Sequence, residues 1–437
     1  MRRLLLLAAL TLGLAFAQTD GANEYRFSAP FITPRFQDQE EVAATPARWS
    51  APLDFREGQS VLAAADGVVA HLDRGALVVR DFVTGRVLWR RPATLAGFAA
   101  AGGRVVLRTA RGELAALDLR SGRELWRRRI AETGDGLYAP AWHGDLLTVT
   151  AVPLGMQLAR TAVLEAKTGW VLFWTLPQEA LIERAGDLFV TRQGDDLHPE
   201  RGSLFRGREV QGGRVRWTVR AAAFLRREGD ALYFQAADSR PALGAGRGLL
   251  QLLTVDARTG ETVRRSVPVS FPELAGEKGA SYGQVKLDGT CLWTPASSGD
   301  ALRFVACQRR DGQPGGVRLN IGGPGPVWSG DYWLAGPTLG RLWLSDTRTR
   351  VSSVDVRTGR RASYLPHGFE RSLSRFDVTG GRVVVASTDG QVLVYRPDGS
   401  QPVSRHVTRS RLFGPSVVRG GRLLVQGERE VQVFPTR

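Results

Sequence analysis

A short hairpin-like unit recurs along the chain, and its recurrence restricts the possible folds more than any other feature. The clearest copy runs from residue 113 to residue 129 and reads ELAALDLRSGRELWRRR. An apolar run leads into a turn that begins at Asp118 and ends at Gly122, and the alternating run beyond it carries Trp126. An Asp in a turn accepts backbone hydrogen bonds, and Gly adopts the left-handed conformation that a bulged hairpin needs. The unit is therefore predicted to be a β-hairpin with a large aromatic side chain on its second strand.

Copies of this turn share an acidic residue four positions before a Gly. Four full copies pair Asp81 with Gly85, Asp118 with Gly122, Asp256 with Gly260 and Asp355 with Gly359. A close variant pairs Glu165 with Gly169. Degraded copies lie at Gly213, Gly312 and Gly399. Trp89, Trp126 and Trp217 each follow a turn Gly by four residues, so we expect them to share one place on an outer strand. A side chain of this size is predicted to fill the gap between neighbouring sheets, because its burial stabilises the fold by a few kcal/mol.

A second repeated signal is a Gly followed by one residue and then an apolar run. It occurs at Gly67, Gly103, Gly144, Gly186, Gly229, Gly289, Gly340, Gly381 and Gly421. Such runs are typical of an inner strand that is buried on both faces of its sheet. No stretch sustains helical periodicity, so the chain is predicted to be all-β.

The repeat period indicates the architecture. Seven intervals separate Gly85 from Gly399, which gives a mean period of about 45 residues. Four short strands at this period predict a β-propeller of four-stranded antiparallel blades. Nine inner-strand signals accompany eight hairpin turns, and we predict eight blades, with seven and nine as the alternatives. Because the last unit ends at Arg437 before an outer strand, a strand near Trp49 is expected to complete it.

The repeat resembles a known family. The pattern Ala116-x-Asp118-x-x-Ser121-Gly122-x-x-x-Trp126 is similar to the tryptophan-docking repeat of quinoprotein (PQQ-like) propellers. That family includes pyrroloquinoline-quinone dehydrogenases and non-enzymatic propellers of the BamB kind. The resemblance covers roughly residues 60–437 and implies a propeller fold.

The resemblance to the enzymes of the family is incomplete at the residues that carry chemistry. It implies two adjacent cysteines over the quinone, and this sequence has only Cys291 and Cys307; it also has no Cys-x-x-Cys-His haem motif. The one segment with several candidate metal ligands, from Asp195 to Glu200, matches no defined spacing and is interpreted as a solvated loop. No catalytic, cofactor-binding or metal-binding residue and no cofactor is therefore predicted.

The two cysteines lie symmetrically about a turn-like cluster at Gly299. If this segment is a hairpin, Cys291 and Cys307 are expected to face each other across adjacent strands. Export would permit a disulfide between them. Two small buried thiols are the alternative.

The amino terminus has the features of an export signal. Arg2 and Arg3 precede an apolar run, and Ala15-Phe16-Ala17 forms a cleavage site. We therefore predict a signal peptide at 1–17, an extended leader at 18–48 and the propeller at 49–437. No stretch reaches the roughly 20 apolar residues of a transmembrane helix. The mature protein is expected to cross the inner membrane and to be periplasmic or extracellular.

The chain is strongly basic, with a formal net charge of +16 at pH 7, and nearly all of the positive charge is Arg. Such a balance attracts anionic surfaces, but the arginines are spread over the whole length. Because no basic run is interleaved with aromatics, no specific nucleic-acid partner is predicted.

Without enzyme residues, the predicted ring is interpreted as an exported non-enzymatic scaffold for a protein partner in the cell envelope. It is expected to be a monomer or a subunit of a complex. Two alternatives are a PQQ-dependent oxidoreductase-like protein and a binder of an anionic envelope polymer.

Overall fold

Short strands joined by turns make up the protein in the computed structural model. The structure describes residues 46–54, 62–93, 97–108, 112–131, 136–138, 140–152, 159–194, 202–237, 247–266, 269–272, 286–287, 291–298, 301–309, 314–320, 333–345, 351–364 and 373–436. These segments contain no helix, and accordingly no helix in them could span a membrane. The predicted signal peptide and nearly all of the predicted leader lie outside the described residues.

The strands fall into repeated antiparallel sheets, which we call blades, in chain order. The first strand is β1 (Trp49–Pro52). Blade 1 contains β2 (Leu62–Ala65), β3 (Val68–Asp73), β4 (Ala76–Asp81) and β5 (Val87–Pro92). Blade 2 contains β6 (Phe98–Ala101), β7 (Arg104–Arg108), β8 (Glu113–Asp118) and β9 (Glu124–Arg129). Blade 3 contains β10 (Gly136–Leu137), β11 (Ala141–His143), β12 (Leu146–Val152), β13 (Arg160–Glu165) and β14 (Val171–Trp174), with β10 and β11 both paired to β12.

Blades 4 and 5 are continuous through one long strand. They are formed by β15 (Glu179–Ala185), β16 (Leu188–Gln193), β17 (Ser203–Glu209), β18 (Val215–Glu228), β19 (Ala231–Ala236), β21 (Leu252–Asp256) and β22 (Thr262–Arg265), while β20 (Arg247–Leu250) and β23 (Val269–Pro272) form a separate two-stranded sheet. The first part of β18 pairs with β17 and its second part pairs with β19, and both registers include Ala221. One strand therefore serves as the outer strand of blade 4 and the inner strand of blade 5.

The remaining blades follow the same four-stranded pattern. Blade 6 contains β24 (Lys286–Leu287), β25 (Cys291–Ser298), β26 (Ala301–Arg309) and β27 (Pro314–Asn320). Blade 7 contains β28 (Trp333–Thr338), β29 (Arg341–Ser345), β30 (Val351–Asp355) and β31 (Arg361–Ser363). Blade 8 contains β32 (Leu373–Thr379), β33 (Arg382–Ser387), β34 (Gln391–Tyr395) and β35 (Pro402–Val407). Blade 9 contains β36 (Val417–Arg419), β37 (Arg422–Gln426) and β38 (Glu430–Pro435), with β1 as its outer strand.

The two ends of the described chain meet in blade 9. Strand β1 pairs antiparallel with β38, placing Trp49 opposite Val433 and Pro52 opposite Glu430. A shared apolar core then joins blade 9 to blade 1, with Leu424 and Val433 on one side and Val69 on the other. The fold is thus a β-propeller whose N-terminal strand completes the last blade.

The predicted count of eight blades is not confirmed. Within the described residues, dividing the long sheet at β18 gives nine repeats, of which eight have four strands and blade 3 has five. Each of the nine inner-strand signals has its own blade, and blade 9 lacks a hairpin turn before its outer strand because that strand comes from the other end of the chain. The hairpin count is therefore one short of the blade count.

The cysteine segment forms the predicted hairpin with a different register. Strands β25 and β26 pair antiparallel, but Cys291 lies opposite Arg309 and Cys307 lies opposite Trp293. The turn is centred between residues 299 and 300, because Ser298 pairs with Ala301, and the bulge between Ala296 and Ser297 shifts the pairing by one more residue. The expectation that the two cysteines are directly opposed is therefore wrong, and a disulfide between them stays a prediction.

Candidate protein-binding surface

The acidic residue of each full repeat organises its own turn. The carboxylate Oδ1 of Asp81 accepts hydrogen bonds from the amides of Val83 at 3.0 Å and Thr84 at 2.8 Å. The amide of Gly85 donates to the Asp81 carbonyl at 2.9 Å. Asp118, Asp256 and Asp355 hold their turns in the same way. In all four, hydrogen bonds from the residue three positions on lower the pKa of the carboxyl below its usual value, so these carboxylates stay ionised.

Tryptophans on the outer strands of blades 1, 2 and 4 anchor these blades to the turn of the next one. The indole N–H donates to a backbone carbonyl three residues before the turn glycine of the following blade. These bonds run from Trp89 to Leu119 at 3.0 Å, from Trp126 to Ala166 at 3.1 Å and from Trp217 to Ala257 at 2.8 Å. Each ring therefore packs against the next blade and also satisfies its polar atom there.

The turn glycines are required by two independent constraints. Gly169 has a φ of +74°, which L side chains rarely adopt, and a Cβ at this position would lie 2.6 Å from Cε3 of Trp126. Gly122 and Gly260 face Trp89 and Trp217 in the same way. A side chain here would both strain the backbone and displace the docked ring.

Two docked aromatic residues extend the motif beyond the three predicted tryptophans. Trp49 on β1 donates its indole N–H to the carbonyl of Phe82 at 3.1 Å and covers Gly85, so it links blade 9 to blade 1. Phe173 covers Gly213 and links blade 3 to blade 4 without a polar anchor. In blade 7, Gly359 closes the same turn with a φ of +70°.

In blades 1 to 5, two outer-strand positions next to the docking motif form the rim of the blade, and all of them are exposed except Trp174, which is partly buried against the core. We define the rim positions as the first and fifth residues after the docking glycine. In blades 1 to 5, the second, fourth and fifth residues after that glycine pair with the neighbouring strand in the same way from blade to blade. The rim positions of these five blades are therefore structurally equivalent. The first rim position holds Arg86, Arg123, Trp170, Arg214 and Glu261, and the second holds Arg90, Arg127, Trp174, Thr218 and Arg265, in blades 1 to 5 respectively.

Blade 3 is the exception among these five blades, because both of its rim positions are tryptophan. Trp170 is 62% exposed, and the Arg128 guanidinium lies over its ring, with Cζ 4.6 Å from the centroid. Arg160 lies over the Trp174 ring at 5.0 Å. Leu176, two residues further on, is 45% exposed. We call Arg128, Arg160, Trp170, Trp174 and Leu176 the rim patch.

A buried ion cluster lies in blade 4. The Glu179 carboxylate accepts hydrogen bonds from Arg208 at 2.9 and 2.8 Å, from Arg206 at 3.3 Å and from the Thr191 hydroxyl. Although burial favours the neutral acid, the bonds from Arg208 and Thr191 lower the pKa of Glu179 below its usual value. The cluster joins three strands of one blade, and both guanidinium groups share the one carboxylate, with further hydrogen bonds from Arg206 to Gln193 and from Arg208 to the Gly213 carbonyl.

A second buried pair connects blades 8 and 9. Arg375 and Asp377 face the same side of β32, and the guanidinium donates to the carboxylate at 2.9 to 3.0 Å. Asp377 also accepts the backbone N–H of Ser416 at 2.8 Å. This contact fixes the inner strand of blade 8 to the segment that leads into blade 9.

Two histidines are buried as neutral rings. Burial, followed by the nearby charge of Arg80, lowers the pKa of His71 to about 4, and His71 Nε2 accepts a hydrogen bond from Arg80 Nε at 3.0 Å. Burial lowers the pKa of His406 to about 4, and its ring stacks on Phe434 at 4.5 Å between centroids. Within the described segments, no group of three or more His, Cys, Asp or Glu side chains could hold a metal ion. The segment 195–200, considered above for metal binding, lies outside the described residues.

The four-stranded blades and the docked tryptophans define a PQQ-like repeat β-propeller. A family profile matches residues 65–314, which is more than half of the chain, and the chain belongs to that family, described as outer membrane protein assembly factor BamB. No match was found among curated protein sequences.

Solved structures with a similar fold include enzymes as well as non-enzymatic propellers. BamB from Moraxella catarrhalis is 17% identical over 90% of this chain and 98% of its own, with a TM-score of 0.46. Quinohemoprotein alcohol dehydrogenase from Comamonas testosteroni is 13% identical over 89% of this chain and 76% of its own, with a TM-score of 0.45. The computationally designed protein Ika8 is 14% identical, covering 90% of this chain and 98% of its own, with a TM-score of 0.47.

Proposed function

We propose that this chain is an exported, non-enzymatic β-propeller that acts as a protein-binding scaffold in the cell envelope, either as a monomer or as a subunit of a complex. The family to which it belongs is described as an outer membrane protein assembly factor. The observation that carries the proposal is the rim patch, where Trp170 is exposed on an edge that carries mostly arginine in blades 1, 2, 4 and 5. Exposed aromatic side chains next to arginines are enriched in protein interfaces.

The architecture supports a role in which the protein holds a partner without moving. Each docked tryptophan ties one blade to the next, and Trp49 ties the last described blade to the first. A ring joined in this way presents its rim as a preorganised surface, and preorganisation reduces the entropy lost on binding.

The test is affinity capture with the purified protein on detergent-solubilised cell envelopes. We expect one protein to be retained in near-stoichiometric amount, and to be absent from a matched matrix without the bait. Failure to retain any protein would contradict the scaffold proposal. So would stoichiometric binding of added pyrroloquinoline quinone together with dye-linked alcohol oxidation, because that result supports the oxidoreductase-like alternative.

Binding of an anionic envelope polymer is the second candidate, and it has its own supporting observation. Both rim positions of blades 1 and 2 carry exposed arginine. This candidate predicts retention on an immobilised anionic polymer that falls steeply between 50 and 500 mM salt, on the order of tenfold or more. Retention that is insensitive to salt argues against it.

A further inference from the structure

We propose that the rim patch of blade 3 binds an acidic, extended segment of a partner protein. This inference rests on the proposed scaffold function and adds to it the position of the site and the chemistry of its occupant.

The repeats of the chain provide an internal control for the two tryptophans. The register of β14 on β13 matches that of the outer strand in blades 1, 2, 4 and 5, so the local backbone imposes no different requirement in blade 3. At the position of Trp170, blades 1, 2 and 4 carry an arginine and blade 5 carries Glu261. The docking role in blade 3 already belongs to Phe173. Packing within the propeller therefore does not account for an exposed Trp170.

The two guanidinium groups on the patch are suited to carboxylates. Stacking on an aromatic face uses the plane of the guanidinium and leaves N–H groups along its edge for a bidentate acceptor. Arg128 is held by its stacking on Trp170 and by a bond from Nη1 to the Arg127 carbonyl at 3.2 Å. Among the described residues, neither Arg128 nor Arg160 has a carboxylate partner within salt-bridge distance.

The charge around the patch favours an acidic occupant. Lys167 is exposed in the turn that precedes Trp170, and the nearest acid in that turn, Glu165, accepts a hydrogen bond from the Thr168 hydroxyl. By contrast, Arg127 on the same outer strand of blade 2 is paired with Glu124 at 2.8 Å. The patch therefore combines apolar rings with uncompensated positive charge.

The strand geometry favours an extended occupant. Strand β14 is the last strand of its sheet, and in the described structure it pairs only with β13. Its outer edge can therefore accept a further strand, which is a common mode of peptide recognition. Side chains that alternate along such a segment would reach the Trp rings and the arginines in turn.

The experiment places a photo-crosslinking amino acid at Lys167, in the full chain expressed in its native host. The matched control carries it at Arg357, the same turn position in blade 7, two residues before the docking glycine. Mass spectrometry then identifies the cross-linked peptide. We expect at least a tenfold higher yield at position 167, and a captured segment that is rich in Asp and Glu. The inference would be overturned if the two positions gave cross-links in equal yield. It would also be overturned if the cross-linked molecule were a basic protein segment, a lipid or a polysaccharide.

The captured segment is then synthesised, and its affinity for purified variants is measured by fluorescence anisotropy. Trp170→Arg installs the residue that blades 1, 2 and 4 carry at the first rim position, so the variant is expected to fold. We expect its affinity for the segment to weaken at least tenfold, although the net positive charge of the protein rises. Arg128→Gln should weaken binding about tenfold, whereas Arg127→Gln, which removes the same charge, should change it less than twofold. Equal losses for the two arginine variants, or tighter binding by Trp170→Arg, would show that general charge and not the patch is responsible.

The outcomes separate this inference from the proposed function. Cross-links to a protein at position 357 but not at 167 would leave the scaffold function in place and move its site elsewhere. The absence of protein cross-links at both positions, together with the failure of affinity capture, would remove both proposals.

Discussion

Docking of Trp126 onto blade 3 is a quantitative test of how the ring is held together. The side chain is 7% exposed, and its indole N–H bonds to the Ala166 carbonyl. A tryptophan that buries roughly 200 Å² contributes about 5 kcal/mol at about 25 cal/mol per Å². Because neighbouring side chains relax only partly, we expect Trp126→Ala to lower the free energy of unfolding by about 3–5 kcal/mol.

A graded series separates the ring contact from the hydrogen bond. Trp126→Phe should cost only about 1–2 kcal/mol, since Phe173 already occupies the equivalent place on Gly213 without a polar anchor. Trp170→Ala is the matched control, because that ring is mostly exposed, and its cost should be below about 1 kcal/mol.

Equilibrium urea unfolding, followed by far-UV circular dichroism, measures all three variants. The docking account is refuted if Trp126→Ala changes the free energy of unfolding by less than about 1 kcal/mol. It is also refuted if Trp170→Ala proves as costly as Trp126→Ala, because the two rings differ chiefly in burial.

Three further predictions concern the docking glycine, the buried ion cluster and the buried histidines. Gly169→Ala should destabilise the protein by more than about 2 kcal/mol, because it forces an L residue to a positive φ and places its Cβ against the Trp126 ring. Gly186→Ala is the control, because Gly186 also has a positive φ but no atom lies near its Cβ. This control should cost about 1 kcal/mol in the same urea assay. Glu179→Ala leaves buried guanidinium groups without their carboxylate, and the expected loss is about 3–5 kcal/mol; a loss below 1 kcal/mol would show that the cluster is hydrated. Burial lowers the pKa of His71 to about 4, whereas the ring has its ordinary pKa of 6.5 in the unfolded chain. Between pH 6.5 and 4 the unfolded chain therefore binds one more proton than the folded protein. The free energy of unfolding is not reduced by this effect above pH 6.5, and it decreases as the pH falls towards 4. His71→Gln should therefore flatten the dependence of the urea midpoint on pH in that window, and an unchanged slope would contradict the lowered pKa.

The sequence predicts the fold through features that depend on local chemistry. Asp118 and Gly122 specify their turn with their own hydrogen bonds and backbone conformation, so the hairpin can be inferred without a structure. The spacing of Trp126 from that turn likewise places its ring between blades. These features repeat, and the repeat period then indicates a propeller.

Features that depend on distant parts of the chain were harder to predict. The number of hairpin turns implied eight blades, because the outer strand of blade 9 is supplied by β1, about 380 residues away along the chain. The register of the hairpin at Cys291 depends on the exact centre of its turn and on a bulge, and composition reveals neither. Glu179 meets Arg208 only because three strands fold side by side.

The rim patch was missed although its signal is present in the sequence. Aligning the first five repeats on their docking glycines shows Trp170 and Trp174 at positions that hold mainly arginine in blades 1, 2, 4 and 5. Read singly, each tryptophan resembles one more docking residue. Only the register on β13 shows that Phe173 docks and that the two tryptophans flank it.

Closure of the ring by the N-terminal strand is the central structural claim, and a cysteine cross-link tests it most directly. Ser50 on β1 lies opposite Gln432 on β38. In a background with Cys291→Ser and Cys307→Ser, the pair Ser50→Cys and Gln432→Cys should form a disulfide under mild oxidation, seen as a gel shift reversed by reduction. The pair Ser50→Cys and Ser404→Cys, with the second cysteine on blade 8, should not. A cross-link that fails in the first pair, or forms equally in the second, would contradict closure through β1.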